Sequence, residues 1–172
     1  MRGPYLEVIE AIQRRAHDEA ERGPVLAGHR GEVQFEIELL TEVLSAESVC
    51  ETECRRLAHI AHGRQLDWLA AELDEHAETE RRLIERLGRR IRQLGGQPPV
   101  CVTAAQTIPT IDDDAMLELL DEERLVEQYA LTTCTEIAQR LAEADPDVRA
   151  VLEEALTCER AHLAALSRLT SH

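Results

Sequence analysis

Apolar residues recur along the chain in alternating steps of three and four, the period of a helix that buries one stripe, and glycine and proline divide the pattern into five stretches. The first, Pro4 to about Glu21, carries Leu6, Ile9, Ile12 and Ala16, a stripe too narrow to fold alone, so it is expected to lie on a larger body. After a linker of Gly23-Pro24 and Gly28 to Gly31, the seam Ile37, Leu40, Leu44, Glu47, Glu51, Cys54, Ala58, Ala61 predicts a second helix that stops at His62-Gly63. A third follows through Leu66, Leu69, Leu73, His76, Glu80, Leu83, Leu87, Ile91 and Leu94 to Gly95-Gly96, antiparallel to the second because the connection is short. The fourth reads Leu120, Glu123, Glu127, Ala130, Cys134, Ile137, Leu141. Asp145-Pro146 opens the fifth, with Val148, Leu152, Ala155, Glu159, His162, Leu166 and Leu169, and proline suits a first helical turn.

Between the third and fourth helices lies a stretch without helical period, Gln97 to Asp112, holding Pro98, Pro99 and Pro109. Its 16 residues can reach about 50 Å at about 3.3 Å each, and a helix of about 30 residues is about 45 Å long. The stretch is therefore expected to span the whole bundle, joining two antiparallel hairpins by one long crossover. Residues 1–31 form an N-terminal helix and linker, and residues 32–172 the bundle.

Composition narrows the chemistry. With 172 residues the chain suits one domain; aromatic residues make up 2% and Ala, Leu, Glu and Arg dominate, which favours an all-α fold. A net charge of −15 repels phosphate backbones and acidic membrane surfaces and attracts cations, so neither nucleic acid nor membrane is an expected partner. No stretch resembles a signal peptide or a membrane span, and five cysteines without a dense framework fit a reducing compartment; a cytoplasmic chain without disulfides is expected.

Each of the four bundle seams is broken by acid at mid-helix, where an isolated buried carboxylate would cost several kcal/mol unless paired or metal-bound. Glu47 precedes Glu80 by 33 residues and Glu127 precedes Glu159 by 32, so the two hairpins repeat one arrangement. Cys54 and Cys134 follow Glu47 and Glu127 by seven residues each, on the same faces. Glu159-Arg160-Ala161-His162 is a Glu-x-x-His tetrad that places carboxylate and imidazole on one face. Glu47, Glu80, Glu127, Glu159 and His162 thus make up most of the constellation that holds two irons or two manganese ions inside a bundle, with zinc also compatible. The departure is Leu83, which occupies the slot of a second histidine after Glu80; His76, one turn earlier, is a substitute of different height. Glu51 and Glu123 are expected in water at the seam edges, Glu122 and Glu123 compete with Glu127 as the ligand of the fourth helix, and Cys50, Cys54, Cys134 and Cys158 are expected as small core fillers.

Leu40-Thr41-Glu42-Val43-Leu44-Ser45-Ala46-Glu47 resembles the first bundle helix of the bacterioferritin and Dps-like branch of the ferritin superfamily. Glu75-His76-Ala77, the run Gln93-Leu94-Gly95-Gly96-Gln97-Pro98, Asp145-Pro146 and the Glu159 to His162 tetrad extend the resemblance nearly end to end. It implies a ferritin-like antiparallel four-helix bundle in which Glu47 and Glu127 are terminal ligands, Glu80 and Glu159 bridge two irons and His162 holds the second. It also implies oxidation of Fe(II) by dioxygen or peroxide for iron storage or detoxification, with Cys54 and Cys134 standing where relatives often carry tyrosine. The helix that carries a haem-binding methionine in bacterioferritin has none here, so no haem is expected. Only ten residues follow His162, so a homo-oligomer of dimer or dodecamer size is expected in place of a 24-subunit shell. The alternative that Leu83 keeps open is a degenerate bundle with an incomplete metal site, serving as a binding or scaffold protein.

Overall fold

Among the described residues, five helices form where the hydrophobic period places them: α1 (Pro4–Arg22), α2 (His29–Gly63), α3 (Asp67–Gln93), α4 (Asp113–Arg140) and α5 (Pro146–Leu169). The computed structural model describes residues 3–25, 28–99, 113–144 and 146–169, and among these there is no strand. None of the described helices is long and apolar enough to cross a membrane.

Side-chain pairs fix the directions. Glu47 meets Cys134 and Cys54 meets Glu123, so α2 and α4 run antiparallel. Glu80 meets His162, Arg86 meets Glu154 and Arg90 approaches Asp147, so α3 and α5 do too. With α2 and α3 joined by a tight turn, α3 and α4 must run the same way on opposite corners of the bundle. Chain leaving α3 therefore has to return the bundle's length before α4 begins. The predicted crossover itself falls largely on residues 100–112, outside the described residues.

Helix ends follow from local chemistry. At the end of α3 the Gly96 N–H donates to Ile91 and the Gly95 N–H to Arg92, a reversal that needs a left-handed residue, supplied by Gly95 at φ 88°. A Cβ on Gly96 would lie 2.7 Å from Ile37, so this turn also has to be bare to pack on α2. The end of α2 repeats the geometry, with Leu66 N–H donating to Ala61 and Gln65 N–H to His62. There the left-handed residue is Gln65 at φ 61°, and Gly63, the predicted stop, remains helical.

The core is two apolar blocks with a polar layer between them. One block packs Leu39, Leu40, Val43, Leu83, Leu87, Ile137 and Leu152; the other packs Leu57, Ala58, Leu69, Leu73, Leu120 and Leu166. The acidic positions of α2 to α5 fall between the blocks, which close both ends of the layer to water. Leu6, Ile9 and Ile12 of α1 pack on Ala46, Cys50, Val126 and Ala130, sealing the groove between α2 and α4 as its narrow stripe predicts. Arg15 to Glu42 at 3.0 Å and Tyr129 Oη donating to Glu10 at 2.9 Å fix that helix at its rims.

Candidate metal centre

Every bundle helix delivers one carboxylate to the middle layer because its seam residue at that height is glutamate. Glu47, Glu80, Glu127 and Glu159 are 0% exposed and His162 is 4% exposed. Glu47, Glu80 and Glu159 bring ligand atoms within 4.8 Å of one another, and so do Glu80, Glu127 and His162. Glu80 belongs to both groups. His162 points Nδ1 inward, 2.7 Å from Glu80 Oε1 and 3.8 Å from Glu127 Oε1. That contact is close but not aligned as a hydrogen bond, and both oxygens of Glu80, Glu127 and Glu159 are buried without a hydrogen-bond partner. Orphaned buried oxygens are costly, and a divalent cation is the species that satisfies several at once. The donor set therefore fits hard to borderline cations such as Fe(II), Mn(II) or Zn(II).

Burial moves the acids of this layer toward their protonated forms. Burial, then repulsion from Glu80, pushes Glu47 well above the carboxylate range, and burial with repulsion from Glu127 and Glu47 does the same to Glu159. Burial lifts Glu127 to about 7. Burial also opposes charge on Glu80, but the close approach of Glu47 and of His162, with its positive charge, outweighs it and holds Glu80 below its ordinary value. His162 is the counterpart: burial alone would lower it, and Glu80 and Glu127 raise it. Burial thus favours the protonated forms of Glu47, Glu127 and Glu159, while Glu80 and His162 favour each other's charged forms.

The five sequence-predicted residues meet in this layer, and the competitors on α4 separate. Glu122 accepts the Gly3 N–H of the α1 terminus, facing away from the layer. Glu123 is not at a solvated edge as expected: it is 0% exposed, one turn from Glu127, because α1 covers that side of the bundle and Cys54 meets it. Its signal in the sequence was membership of the same seam as Glu127. Glu51 does sit at the rim, half-buried and paired with Arg55. Leu83, 1% exposed, fills the histidine slot and packs with Leu87 in an apolar block. His76 stacks on His162 with ring centroids 4.3 Å apart, its Nε2 is 3.6 Å from Glu72, and burial followed by the His162 charge lowers it to about 4. It braces the His162 ring and adds no atom to the two ligand groups. Cys50, Cys54 and Cys134 are fully buried and all four described cysteines are free, but two are more than fillers: Cys134 Sγ lies 3.2 Å from Glu47 and Cys54 Sγ 3.1 Å from Glu123.

Solved structures share this architecture. A bacterioferritin from Rhodobacter capsulatus, described with a metal-free dinuclear site and haem iron, superposes with a TM-score of 0.70 at 21% identity, over 85% of this chain and 87% of its own. A bacterioferritin from Desulfovibrio desulfuricans, studied for its diiron site in different catalytic states, gives 0.66 at 21% identity, over 85% and 84%. No curated protein matches the chain in sequence. The description of the ferritin-like domain matches residues 37–172, the four bundle helices and the acidic layer they enclose, so the chain belongs to the ferritin-like domain family.

Proposed function

We propose that this protein binds two Fe(II) ions in the layer of Glu47, Glu80, Glu127, Glu159 and His162 and passes their electrons to dioxygen or peroxide, in the service of iron storage or detoxification. The carrying observation is the convergence of four buried carboxylates from four helices on one imidazole, with carboxylate oxygens that have no partner in the protein. Each Fe(II) supplies one electron; two electrons and two protons convert dioxygen to hydrogen peroxide, or peroxide to two hydroxide-level oxygens released as water. Glu80, within reach of both positions, holds the two cations close together, and Glu47 and Glu127 close the flanks. The apolar blocks above and below keep bulk water from the layer, and the net charge of −15 concentrates Fe(II) around the molecule. The reading includes a cytoplasmic homo-oligomer, a dimer or dodecamer, without haem.

Anaerobic Fe(II) titration of the metal-free protein followed by oxygen addition tests this. Saturation near two equivalents, with ferric absorbance and oxygen uptake afterwards, is the expected result; in Glu159→Ala and His162→Ala both signals are lost. Unchanged affinity in both variants overturns the assignment. Leu83 in the histidine slot favours a second reading, a bundle kept for binding or scaffolding, and metal binding without oxygen consumption would select it.

A further inference from the structure

One turn along α4 from the proposed centre, two buried donors that the two-cation layer does not use, Cys54 and Glu123, converge on Glu127, which it does. Cys54 Sγ, a Glu123 oxygen and a Glu127 oxygen lie within 4.8 Å of one another. All three residues are 0% exposed. Cys54 Sγ is 3.1 Å from Glu123 Oε1, but Glu123 Oε2 and both Glu127 oxygens are buried with no hydrogen-bond partner. A thiol–carboxyl contact therefore satisfies only part of what the cluster offers. Arg56, which acts on Glu123 electrostatically, donates its Nε and Nη2 to the two oxygens of Glu53 and makes no hydrogen bond to the orphaned oxygen.

We propose that Cys54, Glu123 and Glu127 form a third cation position, specific for a thiophilic divalent transition metal and linked to the two-cation layer through Glu127. A thiolate with two carboxylates suits Zn(II), Fe(II) or Co(II) and disfavours Mg(II) and Ca(II), which take oxygen ligands. Donors around one tetrahedral cation stand about 3.5 Å apart at ordinary metal–ligand distances of about 2.0–2.3 Å, so side-chain adjustment without backbone movement closes the site. No redox step is involved: the cation displaces the thiol proton of Cys54 and the carboxyl proton of Glu123, which leave to water. Because Glu127 is shared, filling the third position draws one of its oxygens away from the layer. The proposal shares Glu127 with the proposed function but does not require iron oxidation.

Anaerobic Co(II) titration of the metal-free full chain provides the test, because a cobalt thiolate absorbs in the near ultraviolet and cobalt on carboxylate and imidazole alone does not. The expected result is a thiolate band that grows with one equivalent, disappears in Cys54→Ser and persists in Cys50→Ser and Cys134→Ser. Glu123→Gln keeps thiol and shape and should weaken that equivalent by about 10–100-fold, at least the cost of losing an outer-sphere partner. Glu159→Gln disables the layer but should leave the band. Cobalt binding without a thiolate band, or a band that survives Cys54→Ser, overturns the third position and leaves the layer standing. A band without the remaining equivalents does the reverse.

Discussion

Replacing Glu127 by glutamine should make the metal-free protein more stable at neutral and alkaline pH, with a size set by burial. Glu127 is raised from 4.5 to about 7, first by burial and then by the charge of Glu80, against the close approach of Glu159 and attraction to His162. An acid whose folded value exceeds its unfolded one stabilises the fold while protonated. That contribution is complete below the unfolded value of 4.5 and is lost as pH rises through about 7. At 1.36 kcal/mol per unit, the loss by pH 8 is about 3 kcal/mol. Glutamine keeps shape and polarity but never charges, so Glu127→Gln should match wild type near pH 5 and exceed it at pH 8, by roughly 10 °C in Tm for a domain of this size. Thermal unfolding followed by circular dichroism in chelator at both pH values measures it, and comparing the proteins cancels the general effect of net charge. Divalent metal should restore wild type at pH 8 and raise the variant less, because the variant keeps only the group of Glu47, Glu80 and Glu159 intact. A Tm difference identical at pH 5 and pH 8 would refute the buried-charge account.

Three further outcomes follow from the same geometry. Metal binding should release protons, because burial favours the protonated forms of Glu47 and Glu159 and both must ionise to ligate; dye-monitored proton release in weak buffer reads this, and proton-neutral binding would contradict it. Leu83→His should lower metal-free stability by about 2–3 kcal/mol, since it trades a packed leucine for a buried imidazole, while increasing the rate of ferrous oxidation; destabilisation without faster oxidation would mean that more than one residue separates this layer from a complete one. Gln65→Gly should raise stability by about 0.5–1 kcal/mol by relieving the left-handed backbone at the end of α2, measured by urea unfolding, and a loss would show that the Gln65 side chain contributes more than its strain costs.

The fold was legible because its information is periodic and local. Steps of three and four along Leu69, Leu73, His76, Glu80, Leu83 and Leu87 place those residues on one face whatever the surroundings, and all of them are buried. The repeat of Glu47 and Glu80 in Glu127 and Glu159 also placed one acid per helix at one height, since offsets of 33 and 32 residues, each spanning one turn, bring the two acids of each hairpin level. Whether such an acid meets water or protein is not a local property. Glu123 reads as an edge residue on its own helix, and burial comes from α1, more than a hundred residues earlier, closing the groove between α2 and α4. The His76 stack on His162 and the Cys54 approach to Glu123 likewise join helices whose rotation about their axes is decided by the packing of all five. At the α2 turn, glycine signalled the stop, yet the hydrogen bonds that reverse the chain put the left-handed residue at Gln65, because packing against α3 selects where the helix lets go. Periodicity determined which side chains share a face; the tertiary structure decided which faces meet, and so which carboxylates are left without water or partner.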